Sequence, residues 1–262
     1  MRALLVATVL AAAGFSGAAE AGAWTLDRGQ FLVMSGVTVS RASRYFDDDG
    51  RASEKASFRK LFTQNWMEYG LTDAVTLFAV PEYVVAEIGS DTEQIKRTRA
   101  AAVEGGARIL LLTRIGMLSI QGSAKTAGGF NMSVSKGNTY GEQYELRLLY
   151  GRSFRVFGKD GFFDLQGALR WIKRPRPDEM VADATLGLHL RPATLVMLQS
   201  FNMMNRGDVQ PPYSPYRLHK LELSVVQQFT RRWALQCGGF VSPAGRNMVQ
   251  EQGLVTAVWY RF

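Results

Sequence analysis

Several short runs of the sequence put opposite charges on one face of an extended chain. From Gln143 to Leu148, polar and apolar residues alternate, so Glu145 and Arg147 share a face opposite Tyr144, Leu146 and Leu148. Asp164 and Arg170 stand with Gln166 opposite Phe163, Leu165, Leu169 and Trp171. Asp183 stands with Thr185, Gly187 and His189 opposite Ala184, Leu186, Leu188 and Leu190, and Lys220 and Glu222 stand with Ser224 opposite Leu221, Leu223 and Val225. Glu104 and Arg108 fall on a common face of a further run. Side chains spaced this way can pair along or across strands. Two chemistries fit. The charges can neutralise one another and fill an interior, or an acidic wall can face a basic one and orient small polar solutes in the field between them.

Other chemistry is thin. The two histidines are His189 and His219. His219 falls on the face opposite Lys220, with Ser200 and Asn202 on the preceding run, so a nucleophile and a base on neighbouring strands is a geometric possibility for a lipid-acting enzyme. The His-x-Ser-Asn arrangement of barrel phospholipases is missing, and no catalytic residue is assigned. Asp47-Asp48-Asp49-Gly50 lacks the alternating ligands and closing Glu of a calcium loop, so no metal site is expected, and no cofactor motif is present. Cys237 is the single cysteine, which rules out an internal disulfide and reads as a small side chain on a strand. The net charge of +8 accompanies no helical nucleic-acid motif, so phosphates of outer-membrane lipid and lipopolysaccharide, or an anion-favouring interior, are the expected partners of the basic excess. Arg114, Arg155, Arg191, Arg231, Arg232 and Arg261 sit at expected turns, where they can favour anions or anchor at headgroups.

A charged face of this kind cannot meet lipid, and the apolar face beside it calls for a nonpolar surround. The elements that satisfy both are strands of a closed wall. Tight connections are expected at Gly70 to Asp73, Thr113 to Gly116, Gly158 to Gly161, Arg191 to Thr194 and Phe229 to Arg232. Longer polar ones are expected at Ser43 to Lys55, Ile88 to Arg99, Thr126 to Thr139, Lys173 to Glu179, Asn205 to Tyr216 and Ser242 to Val249. This alternation predicts an all-β transmembrane antiparallel up-and-down barrel of about 12 strands, with short periplasmic turns and long extracellular loops. Aromatic residues cluster near both sets of connections: Tyr69, Phe154, Phe157, Phe162, Phe229, Trp233, Trp259, Tyr260 and Phe262 on one side, Tyr45, Phe46, Tyr140, Tyr144, Trp171, Phe201, Tyr213 and Tyr216 on the other. Two interfacial belts are expected. Met1 to Ala21, with Arg2, an apolar run and Ala19-Glu20-Ala21, reads as a secretory signal peptide cleaved after Ala21, leaving 22–262 as the barrel. Whether Gly22 to Gly29 closes the periplasmic mouth is left open.

Two resemblances add to this. The last stretch, Gly253 to Phe262, alternates Leu254, Thr256, Val258, Tyr260 and Phe262 against Val255, Ala257, Trp259 and Arg261. It resembles the closing strand of bacterial outer-membrane proteins, which implies handling by the barrel-assembly machinery of a Gram-negative cell. Tyr69-Gly70-Leu71-Thr72-Asp73, the run Ala74 to Val80 and then Pro81-Glu82-Tyr83 resemble the hairpin of the outer-membrane barrel family labelled meta-pathway of phenol degradation, with Glu82 interrupting the simpler Pro-Tyr ending. That resemblance implies a transporter, and its name implies uptake of aromatic compounds. The function expected is therefore a channel or uptake protein for small solutes, with Glu104, Arg108, Glu145, Arg147, Asp164, Arg170, Asp183, Lys220 and Glu222 lining the lumen. The alternative is a closed structural or adhesive barrel acting through its extracellular loops.

Overall fold

The structure, a computed structural model, describes residues 22–89, 96–129, 141–211 and 213–262. The expected signal peptide, Tyr140 and parts of three expected loops lie outside these residues. The strands are β1 (Phe31–Phe46), β2 (Ala52–Thr72), β3 (Val75–Gly89), β4 (Lys96–Leu112), β5 (Met117–Lys125), β6 (Gln143–Val156), β7 (Lys159–Ile172), β8 (Asp178–Arg191), β9 (Thr194–Arg206), β10 (Arg217–Gln228), β11 (Trp233–Arg246), β12 (Met248–Val249) and β13 (Gln252–Arg261). Each long strand pairs antiparallel with its neighbours, and β1 pairs both β2 and β13, which closes the wall. The result is a twelve-stranded barrel, with β12 a short extra strand against Tyr45 and Phe46 of β1.

Period-two alternation sorts the residues between two solvents. On β13, Leu254 is 65% exposed while Trp259 on the opposite face is 7% exposed. Val37, Leu61, Val103, Leu148, Leu186, Leu198 and Leu223 repeat the outward pattern around the wall. A continuous belt of exposed branched side chains is costly in water and suited to hydrocarbon. The connections at 73–74, 113–116, 157–158, 192–193 and 229–232 are tight. Phe157 and Gly158 both hold positive φ (50° and 71°), the backbone of a two-residue hairpin whose twist matches its strands. Beside these turns the outer aromatic rings form a chain. Phe31 lies 6.4 Å from Tyr69 and 4.8 Å from Phe262, Tyr260 lies 5.1 Å from Phe262, and Trp233 lies 4.4 Å from Tyr260.

The structure differs from the sequence reading in where several strands end and in which way several aromatic rings point. Ser43 and Lys55 lie inside β1 and β2, so the connection there is only 47–51, and β11 likewise runs on to Arg246. Strands continue past the membrane where both faces are wet and hydrophobic alternation no longer marks them. Pro81 lies within β3 and has no N–H; β2 and β3 keep their pairing on either side of it, from Gln64↔Glu82 to Met67↔Ala79. Phe162 and Trp259 point inward instead of joining the periplasmic belt, Phe201 turns into the lumen instead of joining the extracellular one, and Phe46 and Tyr216 are buried at the extracellular end.

The interior has three storeys. Ala23, Trp24, Leu149, Phe162, Leu195, Met197, Val226 and Trp259 form an apolar cluster at the periplasmic end. Ala42, Phe58, Val84, Ala86, Ala100 and Val249 form a second near the extracellular end, beside Tyr216, Leu218 and Met248. Charged side chains fill the storey between.

Candidate functional site

The segment 22–30 precedes β1 and folds back into the periplasmic end of the lumen, where inward side chains satisfy its backbone. Ala23 N donates to Asp164 Oδ2 (2.8 Å), and its carbonyl accepts from Ser119 Oγ (2.5 Å). Arg108 Nη1 donates to the Trp24 carbonyl (2.8 Å), and Leu26 N donates to Thr76 Oγ1 (2.8 Å). Gly29 N donates to the Gly70 carbonyl (2.8 Å), and Gly70 N to the Gln30 carbonyl (2.9 Å). Buried backbone groups need such partners, and strands β2, β3, β4, β5 and β7 supply them. The Trp24 ring meets Phe162 edge-on at 5.7 Å. Two glycines make room. A Cβ on Gly151 would lie 2.5 Å from the Trp24 ring, and one on Gly70 would lie 2.0 Å from the Asp27 carbonyl oxygen.

Above this stopper lies the ion-pair storey. Arg108 Nη2 meets Glu68 Oε1 at 2.8 Å, with both side chains almost fully buried, and Arg108 Nε donates to Gln121 Oε1 at 3.2 Å. Trp66 Nε1 donates to the same Glu68 oxygen at 2.8 Å. Arg147 joins Glu145 (2.7 Å), Asp183 (2.8 Å) and Gln166 (2.7 Å), while Arg170 joins Glu145 (2.8 Å) and Glu179 (2.6 Å). All of these groups except Glu179 line a cavity of about 420 Å³, whose wall also carries Met34, Phe162, Met197, Phe201 and Trp259 and whose floor includes Gly22.

Each residue named from the sequence lies on an inward face, but several have other partners than their spacing indicated. Glu145 and Arg147 pair on one strand. Arg108 turns to Glu68, two strands away, and Glu104 instead accepts from Ser123 Oγ at 2.7 Å. Asp164 accepts from the stopper and from Gln166 Nε2 (2.5 Å), leaving Arg170 to the two glutamates. Lys220 Nζ lies over the Phe240 ring at 4.5 Å and 5.8 Å from the Phe201 ring, and Glu222 is buried on the same face. The stopper, Glu68, Gln121, Ser119 and Glu179 were not singled out by spacing. Trp24, a large apolar residue just beyond the expected cleavage point, was the available signal.

On the outer wall His219, Asn202 and Ser200 come together. His219 Nδ1 and Asn202 Oδ1 are hydrogen bonded, and Asn202 Nδ2 donates to Ser200 Oγ at 3.0 Å. Asn202 therefore stands between the imidazole and the hydroxyl, where a base would have to touch its nucleophile directly. The aspartates at 47–49 are turned to loop closure: Asp47 Oδ1 accepts from Asp49 N (3.0 Å) and Arg51 N (2.8 Å), and Asp49 pairs with Arg51 (3.0 Å). Among the described residues no group of three or more His, Cys, Asp or Glu is placed to hold a metal ion.

A closed antiparallel wall, an apolar outer belt and a polar interior define an outer-membrane β-barrel. Its fold is similar to the COG4313 outer membrane channel from Pseudomonas putida, with a TM-score of 0.69 at 14% identity over 94% of this chain and 100% of that one. It is also similar to the translocator domain of the autotransporter NalP from Neisseria meningitidis (TM-score 0.57, 12% identity, 90% of each chain) and to the beta domain of the Bordetella autotransporter BrkA (TM-score 0.51, 11% identity, 90% of this chain and 100% of that one). At these identities the likeness is one of fold. No family model matches the sequence, and comparison with curated proteins finds no match.

Proposed function

We propose that this barrel is an exported outer-membrane channel for small solutes with an aromatic or apolar body, closed at the periplasmic mouth by its own residues 22–30. The observation that carries the reading is the cavity of about 420 Å³ above the stopper. Its volume is within the range of about 300–1,000 Å³ typical of small-molecule sites. Four tryptophan or phenylalanine rings would not be needed to pass simple ions, yet Trp66, Phe162, Phe201 and Trp259 line it together with Met34 and Met197. The resemblance of the Tyr69 to Tyr83 hairpin to the phenol-pathway barrels and the fold shared with the Pseudomonas putida channel support the same reading.

An anion path is disfavoured by the charge balance of the cavity wall. Arg108, Arg147 and Arg170 face Glu68, Glu104, Glu145 and Asp183, so three cations stand against four carboxylates. The refolded 22–262 barrel and a form lacking 22–27 are compared as single channels in a planar bilayer under a salt gradient. The expected result is small conductance for the first, several-fold larger steps for the second, and a reversal potential with no anion preference. Equal conductance of the two folded forms would overturn the stopper. Silence from both would favour a closed barrel acting through its loops, a reading to which the two apolar clusters at the extracellular end lend weight.

A further inference from the structure

Four arginines face outward at the extracellular end of β1, β2 and β4. Cross-strand register places Arg41 beside Arg59, Arg59 beside Glu87, and Glu87 beside Arg97, with Arg99 two residues further along β4. All four guanidinium side chains are exposed. The one carboxylate in the row, Glu87, lies 3.9 Å from Arg97, while Arg41, Arg59 and Arg99 have no ion pair among the described residues. Three net positive charges remain on a wall that faces lipid.

The height of the row identifies its surroundings. Arg41 is ten residues from Phe31 and Arg59 ten residues from Tyr69, the rings of the periplasmic belt. Ten residues span about 33 Å of strand, or about 25 Å along the axis at a tilt of about 40°, which is the height of the apolar band of such barrels. The arginines therefore stand at the outer-leaflet headgroups. The opposite side of the barrel differs: Tyr144, Trp171, Met180 and Met204 face outward near the extracellular ends of β6 to β9. Exposed arginines also stand at the extracellular ends of β9 and β10 (Arg206 and Arg217), so it is the registered row across β1 to β4, rather than basic charge as such, that sets this side apart.

We propose that this row is a binding site for a phosphate-bearing glycolipid of the outer leaflet. Four adjacent strands at about 4.8 Å spacing spread the guanidiniums over about 14 Å, too wide for one phosphate and suited to a headgroup with a phosphate at each end of a disaccharide. Below the row, Val39, Leu61, Val241 and Leu254 line a groove of about 930 Å³ in the outer wall, with Arg41, Arg59 and Arg97 at its rim. Gly239 faces outward there, and the missing side chain deepens the groove. Acyl chains fit the groove while the phosphates meet the rim.

The test is titration of the refolded barrel in micelles with bisphosphorylated lipid A, with the same glycolipid stripped of phosphate, with phosphatidylglycerol and with inorganic phosphate, read by native mass spectrometry. The bisphosphorylated lipid is expected to bind one per barrel. Arg59→Gln with Arg97→Gln should weaken it about thirtyfold, since each basic side chain at an anionic lipid surface contributes about a fivefold factor. Arg41→Gln with Arg99→Gln should act alike, and Arg191→Gln at the periplasmic end should change nothing. Equal binding by wild type and both double variants, or equally tight binding of the phosphate-free glycolipid, of phosphatidylglycerol or of inorganic phosphate, would overturn the proposal. Conductance of the 22–27 deletion is expected to be the same with or without these substitutions, so this result is independent of the channel reading.

Discussion

At the scale of single residues, Arg108 joins the wall to the stopper. Its guanidinium is 2% exposed and serves Glu68, Gln121 and the Trp24 carbonyl at once. Removing one partner of a buried pair leaves the other charge unpaired, at a cost of about 3–5 kcal/mol, whereas replacing both partners by apolar residues is much less damaging. Arg108→Met is therefore expected to lower the unfolding free energy by about that amount in urea titration of the reconstituted barrel. Arg108→Met with Glu68→Leu should recover more than half of the loss. If the double variant is as unstable as the single, the pair is not what makes Arg108 important. Glu145 with Arg147 was legible from sequence because the two share a strand. Arg108 with Glu68 was not, because the contact crosses β3 and depends on a register no single strand encodes.

At the scale of elements, the connection 47–51 is held down by a clasp. Asp48 Oδ1 accepts from Arg246 Nε (3.2 Å) and Nη2 (2.9 Å) and from Asn247 Nδ2 (3.0 Å). The hydrogen bonds from Arg246 and then Asn247 hold the Asp48 carboxyl below its ordinary value. A carboxylate whose folded value is depressed contributes above its ordinary value, and that contribution fades as the pH falls through the folded one. A spin label at Asp49→Cys in a Cys237→Ser background should be equally restrained at pH 7 and pH 5 and loosen only in stronger acid. Asp48→Asn should be loose throughout. Mobility that rises between pH 7 and pH 5 would contradict the assignment. Such outer elements were the least legible in the sequence. The tight connections overlap the stretches expected for them, with Gly70 to Thr72 taken up into β2 and Lys159 to Gly161 into β7, but the strand ends above the membrane carry Arg44 and Arg246 without a period-two pattern.

At the scale of the whole molecule, the basic excess of +8 and the lumen are separate matters. The cavity wall is slightly acidic, and much of the positive charge lies outside it, on the outer row of Arg41, Arg59, Arg97 and Arg99 and at turns such as Arg231 and Arg232. Composition reports only the sum, so it gives no sign for the interior. The closed twelve-stranded wall was legible because lipid outside and polar groups inside force alternation on nearly every strand. The stopper was not, because a segment held by hydrogen bonds to many strands has no period of its own. The central claim is that this segment closes the lumen, and the most direct test is to tether it. Leu26→Cys and Thr76→Cys are introduced with Cys237→Ser, using the contact in which Leu26 N donates to Thr76 Oγ1. Single-channel conductance is then recorded before and after reduction. The prediction is a barrel without openings while oxidised that returns, once a thiol reductant is added, to the small conductance expected of the untethered barrel; openings that persist unchanged in the oxidised state would contradict it.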